Sequence, residues 1–85
     1  MSAGDITQGV RRADDTAPWD LEPGDYCLHY GQVWVKLPNG VGPSNLANWN
    51  PIEHEDGTIT LSPSILDRGG SGWHGYLERG IWREV

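Results

Sequence analysis

Four residues of this chain have side chains that bind transition metals well: Cys27, His29, His54 and His74. A thiolate together with two or more imidazoles suits a tetrahedral zinc ion. Cys27 and His29 stand two apart, so within a strand they share one face. His54 and His74 lie far downstream, and no Cys-x-x-Cys knuckle anchors the set. The plain alternative makes Cys27 a small core residue and leaves the histidines at edges, hydrogen-bonded to neighbours. The expectation is therefore no cofactor, with zinc on these four residues as the second reading.

Hydrolytic chemistry has less behind it. A nucleophilic serine or cysteine needs a histidine beside it, itself held by an acid. Ser62, Ser64 and Ser71 stand next to prolines and glycines, where local hydrogen bonding already explains a serine. No Gly-x-Ser-x-Gly elbow is present. Glu53 and Glu55 share one face of a predicted strand, and a charged strand edge accounts for them. Paired carboxylates acting on a sugar would need a cleft that so short a chain has little room to build. Gly69-Gly70-Ser71-Gly72 lacks both the lysine and the helix of a phosphate loop. The protein is expected not to be an enzyme.

Aromatic residues offer more. Five tryptophans, Trp19, Trp34, Trp49, Trp73 and Trp82, fall within 85 residues. Some must serve as core, since each indole buries a large area. In Val33-Trp34-Val35-Lys36-Leu37 the alternation turns Val33, Val35 and Leu37 one way and Trp34 with Lys36 the other. Trp34, Tyr26, Tyr30 and Trp19 are the expected contact surface, for a protein partner or for self-association. Stacking on a sugar or a base is the weaker use of the same side chains.

Charge narrows the partners. Twelve acidic residues stand against six basic ones, a formal charge of -6, and Lys36 is the only lysine. A nucleic-acid backbone needs a basic patch, so no nucleic acid is expected, and anionic membrane surfaces are disfavoured likewise. No apolar run approaches the roughly 20 residues that span a bilayer. The first residues carry no apolar stretch of the secretory kind, and a single cysteine excludes an internal disulfide. A cytoplasmic setting is expected, although a particle-associated protein would read the same. Mimicry of nucleic acid by acidic charge is a further idea, weakened by the dispersal of the carboxylates.

The elements that must position these groups read as one small all-β domain over 21–85, preceded by a flexible N-terminal arm over 1–20. Gly and Pro together reach about one and a half times ordinary usage, which favours turns between short strands. Glu22-Pro23-Gly24-Asp25 is a turn, Asp25 to Tyr30 a strand, and Gly31-Gln32 a tight connection into Val33–Leu37. Pro38-Asn39-Gly40 reverses the chain, and Ser44 is placed to cap one helical turn. Asp56-Gly57 signals a two-residue type I′ hairpin, and a last hairpin turns at Glu78-Arg79-Gly80. Asp67 to Gly72 reads as a flexible surface loop. Five to six short strands result, arranged as a twisted antiparallel meander or a partly open barrel.

Two segments carry a resemblance: Thr60-Leu61-Ser62-Pro63-Ser64-Ile65-Leu66 and Trp73-His74-Gly75-Tyr76-Leu77-Glu78-Arg79-Gly80-Ile81-Trp82. In these the chain resembles the DUF6527 family of small proteins from bacteria, phages and prophages. Many members have a cysteine-rich upstream segment and a cysteine just before the position of His74, a metal-binding look. This chain has Trp73 there, and only Cys27 with His29 upstream. The resemblance implies a phage or mobile-element origin and no established activity. The resulting expectation is a protein-interaction module, a phage accessory or virion-associated structural protein acting in the host cytoplasm or the virion. A small zinc-binding regulatory or host-inhibitory phage protein is the alternative.

Overall fold

Alternating apolar residues and closely spaced turns yield ten short strands among the described residues of the computed structural model, which are 6–67 and 71–85. Four of them, β1 (Ile6–Gln8), β8 (Ile65–Leu66), β9 (His74–Glu78) and β10 (Ile81–Glu84), form an antiparallel sheet in the order β1-β10-β9-β8. A second sheet runs β2-β3-β4-β5, from β2 (Val10–Arg11), β3 (Asp25–His29), β4 (Gln32–Val35) and β5 (Ser44–Asn45). β6 (Asn50–Glu53) and β7 (Ile59–Ser62) make a separate hairpin. The class is all-β, as the sequence predicts, and no sheet closes into a barrel. More strands appear than expected because three of them are only two residues long.

The largest departure concerns the N-terminal segment. Residues 1–5 lie outside the described residues, but from Ile6 onward the chain is woven into both larger sheets and is no free arm. β1 pairs with β10, and β2 then joins β3 in a parallel pairing that a simple meander does not contain. Gly9 sits at the switch, donating its N–H to Gly80 O while Val10 N–H goes to Gly24 O. A single strand is thus shared between sheets. The segment lacks core periodicity because each half uses a different sheet, two or three residues at a time.

Turn chemistry also sorts differently. Asp56 has no positive φ; Gly57 alone does, at 86°, and its N–H bonds to His54 O while His54 N–H bonds to Thr58 O. That is a turn closed by a glycine bulge in place of the two-residue I′ loop. Two-residue loops with both central residues at positive φ occur instead at Tyr30-Gly31 and Arg79-Gly80. Ser44 caps no helix; it pairs with Val35 in β5, and Leu46 N–H bonds to Val33 O. The turn at Pro38-Asn39-Gly40 forms as expected, with Gly40 N–H on Leu37 O and Asn39 Oδ1 accepting from Val41 N–H. Arg68, Gly69 and Gly70 of the expected surface loop lie outside the described residues.

The core lies where the three sheets meet. Val33, Val35 and Leu37 do face inward, joined by Tyr26, Ile59, Leu61, Ile65, Leu77, Trp73 and Trp82. Trp73 and Trp82 meet edge to face at 5.7 Å between ring centroids, a favoured aromatic geometry. Gly9 runs so close over this cluster that a Cβ there would stand 3.1 Å from both Trp82 Nε1 and the Tyr26 ring, and nearer still to Gly80 O. Gly9→Ala is accordingly expected to destabilise the fold by about 2–3 kcal/mol. Thermal unfolding followed by circular dichroism checks this, and a Tm within a few degrees of the wild type would contradict it.

Candidate functional site

The four aromatics expected on one surface are divided by the fold. Tyr26 stands opposite Val35 in the register, so it shares the inward face and is 1% exposed. It is core, and its assignment to a contact surface is corrected. Trp34, opposite Cys27, is half-buried on the other face of the same sheet. Tyr30 and Trp19 are open to solvent, at 82% and 77% exposure. Tyr30 occupies the β3–β4 turn in the left-handed region, φ 50°. Trp19 sits on a 3-10 turn, Pro18–Asp20.

A firm base holds that turn. Asp25, itself buried, accepts from Arg12 Nη1 and from Glu22 N–H, at 2.8 and 2.9 Å. Arg12 N–H bonds to Tyr26 O, which lays the segment along β3. Pro18, Leu21 and Cys27 are buried without belonging to the main cluster. Arg11 works on the opposite hairpin, donating to Glu53 Oε2 at 2.8 Å and to Gly57 O at 2.9 Å.

The candidate zinc ligands do not converge. Among the described residues no three His, Cys, Asp or Glu side chains gather as a ligand group. His54 Nε2 lies 2.6 Å from Thr60 Oγ1, and His74 Nε2 lies 3.0 Å from Ser64 Oγ. The His29 ring meets Tyr30 edge-on, and its Nδ1 is buried without a hydrogen-bond partner. Cys27 is fully buried, and burial pushes its thiol up, away from the thiolate that a metal needs. Burial likewise raises the Tyr26 phenol.

Two polar places remain. Ser64 and His74 come from the two segments of the resemblance, which are neighbours in space because Leu66 pairs with His74. Trp49 Nε1 donates to Pro63 O and Ser64 O there, at 3.0 and 3.3 Å. These bonds bind a strand junction together, which gives Ser64 a structural use. Glu53, His54, Glu55, Asp56 and Arg79 line an open cleft of about 460 Å³. The Thr58 hydroxyl and then its N–H hold the Asp56 carboxyl below its ordinary value. Comparison with family models, curated proteins and solved structures finds no match for this chain.

Arg11 and Arg12 are the residues that sequence reasoning missed. Their signal was chemical: two adjacent guanidiniums among many carboxylates have partners within reach. No helix among the described residues is long and apolar enough to cross a membrane.

Two outcomes follow from this geometry. Asp25→Ala strands Glu22 N–H and frees the Pro18–Asp20 turn, lowering stability by about 1–3 kcal/mol; hydrogen exchange over 12–24 should accelerate more than exchange in β9 and β10. Cys27 and Tyr26 both have raised folded values, so their contribution is fully present below the unfolded values. It is lost as pH rises through the folded ones. Thiol labelling of Cys27, followed by mass spectrometry, should therefore proceed only through unfolding. Rapid labelling of the native protein at neutral pH would refute that.

Proposed function

We propose that this protein is a non-enzymatic protein-interaction module that presents Tyr30 and Trp19 to a protein partner. The observation that carries the reading is Tyr30: a bulky side chain, 82% exposed, at φ 50°. Left-handed backbone costs a non-glycine residue roughly 1–2 kcal/mol, and asparagine or glycine relieves it. The ring does not repay that strain by joining the core. Strain kept at an exposed aromatic fits a contact residue, and tyrosine and tryptophan are common binding anchors. Trp19 adds a second anchor on a turn whose Asp20 O accepts from Arg12 and which Glu22, held by Asp25, closely follows; this reduces the ordering cost of binding.

The acidic composition favours a partner with a complementary basic surface. An accessory role in a phage or mobile element, in the host cytoplasm or the virion, rests only on the partial resemblance of residues 60–66 and 73–82 to DUF6527 proteins, and no family model matches the chain. The zinc-binding alternative gains no support from the positions of Cys27, His29, His54 and His74.

Replacement of Tyr30 separates stability from binding. Tyr30→Asn should raise Tm by a few degrees, as relief of about 1 kcal/mol does in a domain of this size. The same variant, and Trp19→Ser, should lose partners that the wild type retains in quantitative cross-linking from the host, with affinities weakened at least about tenfold. A destabilised Tyr30→Asn, or variants that retain the wild-type partner set, would overturn the reading.

A further inference from the structure

The outer face of the β1-β10-β9-β8 sheet includes neither Tyr30, in the β3–β4 turn, nor Trp19, on the Pro18–Asp20 turn. Its inner face carries Gly75, Leu77 and Trp82 into the core. Register fixes the outer layout: Ile81 lies beside Glu78, and Arg83 lies between Ile6 and Tyr76. Leu66 extends the face at the β8 edge, opposite His74. Ile6, Leu66 and Tyr76 are 68%, 44% and 39% exposed. Between Ile6, Ile81, Glu78 and Arg83 runs a shallow groove of about 210 Å³.

We propose that two copies of this chain meet on this face, sheet against sheet. Charge is the argument for a second copy. The molecule carries -6, so copies repel over most approaches. Among the described residues the charges on this face cancel, because Arg83 Nη2 pairs with Glu78 Oε1. A two-fold contact requires a patch complementary to itself. One acid and one base, offset diagonally among apolar side chains, meet that need: the axis that bisects them places each Arg83 opposite the partner's Glu78. A strongly charged partner would find no net charge here to recognise. Four strands about 4.8 Å apart give a face roughly 15–20 Å wide. The longest of these strands has 5 residues, roughly 16 Å at about 3.3 Å per residue. The flat face is then on the order of 300 Å², below the about 800 Å² per partner of standard interfaces, so the dimer is weak and concentration-dependent.

Sedimentation velocity of the full chain across a concentration series tests this. The wild type should move from monomer toward dimer as concentration rises. Arg83→Glu and Glu78→Arg each place like charges face to face and should weaken the dimer at least about tenfold. The exposed pair contributes little to folding, so both variants should keep the wild-type Tm. Mixing the two variants restores opposite charges across the contact and should restore the dimer, which a merely structural effect would not do. Trp19→Ser, outside the face, should dimerise as the wild type does, so this test and that of the Tyr30 surface fail separately. A wild type that stays monomeric, single variants that dimerise unchanged, or a mixture that remains monomeric would each overturn the proposal.

Discussion

The structure depends on one buried hydrogen bond, from the indole of Trp82 to the carbonyl of Gly24, 2.8 Å long and 58 residues apart in sequence. Trp82 belongs to β10, and Gly24 is the turn that starts β3, so the bond ties the two larger sheets. A buried indole N–H left without an acceptor costs on the order of 1–3 kcal/mol. The register of β10 and the position of the Gly24 turn are therefore fixed together. Tyr26 makes the return connection by packing, since its ring from β3 shares one buried cluster with Ile59 of β7 and Trp82 of β10. Two aromatic side chains, each apolar along its body and polar at its tip, thus join three sheets of which none is large enough to stand alone.

Gly9 follows from the same constraint. The strand that passes from one sheet to the other must cross directly over Trp82 and Tyr26, and only a residue without a Cβ fits. Once there, it delivers Arg11 to the β6–β7 hairpin and Arg12 to Asp25. With a single cysteine, this chain gains its long-range ties from arginine forks and indole donors where other small domains use disulfides. Three of its six basic residues, Arg11, Arg12 and Arg83, pair with carboxylates of the same chain, and acidic residues remain in excess.

How legible this was depended on how local each signal is. The β4 alternation is a period-two pattern within five residues, and Val33, Val35 and Leu37 face inward as read. The turn at Asn39-Gly40 and the final hairpin are likewise set by adjacent residues. Tyr26 was misplaced because its facing depends on register with Val35, which no pattern within β3 fixes. Residues 6–20 were misread for a related reason. A strand divided between two sheets shows neither period, and its partners are more than ten residues away at the nearest. The candidate site was legible in part: exposure of Trp19 and Tyr30 agrees with their turn-rich surroundings, whereas the strain at Tyr30 appears only in the backbone.

The treatment of strand edges bears on which surfaces remain for association. Along β6 the bond from His54 N–H to Thr58 O sets the parity, so the outward backbone positions are Pro51 and Glu53. Proline has no N–H to offer, and the Glu53 side chain is engaged by Arg11. β5 and β8 are two residues long, and β1 bends into the other sheet after three. Edge-to-edge pairing thus has little unbroken strand on which to build. What is left open is side chains: a sheet face with one self-cancelling charge pair, and two aromatic rings held on turns. An acidic chain with blunted edges and unblunted faces can be selective about partners, since its contacts are then made by side-chain identity, whereas backbone pairing would accept almost any extended segment.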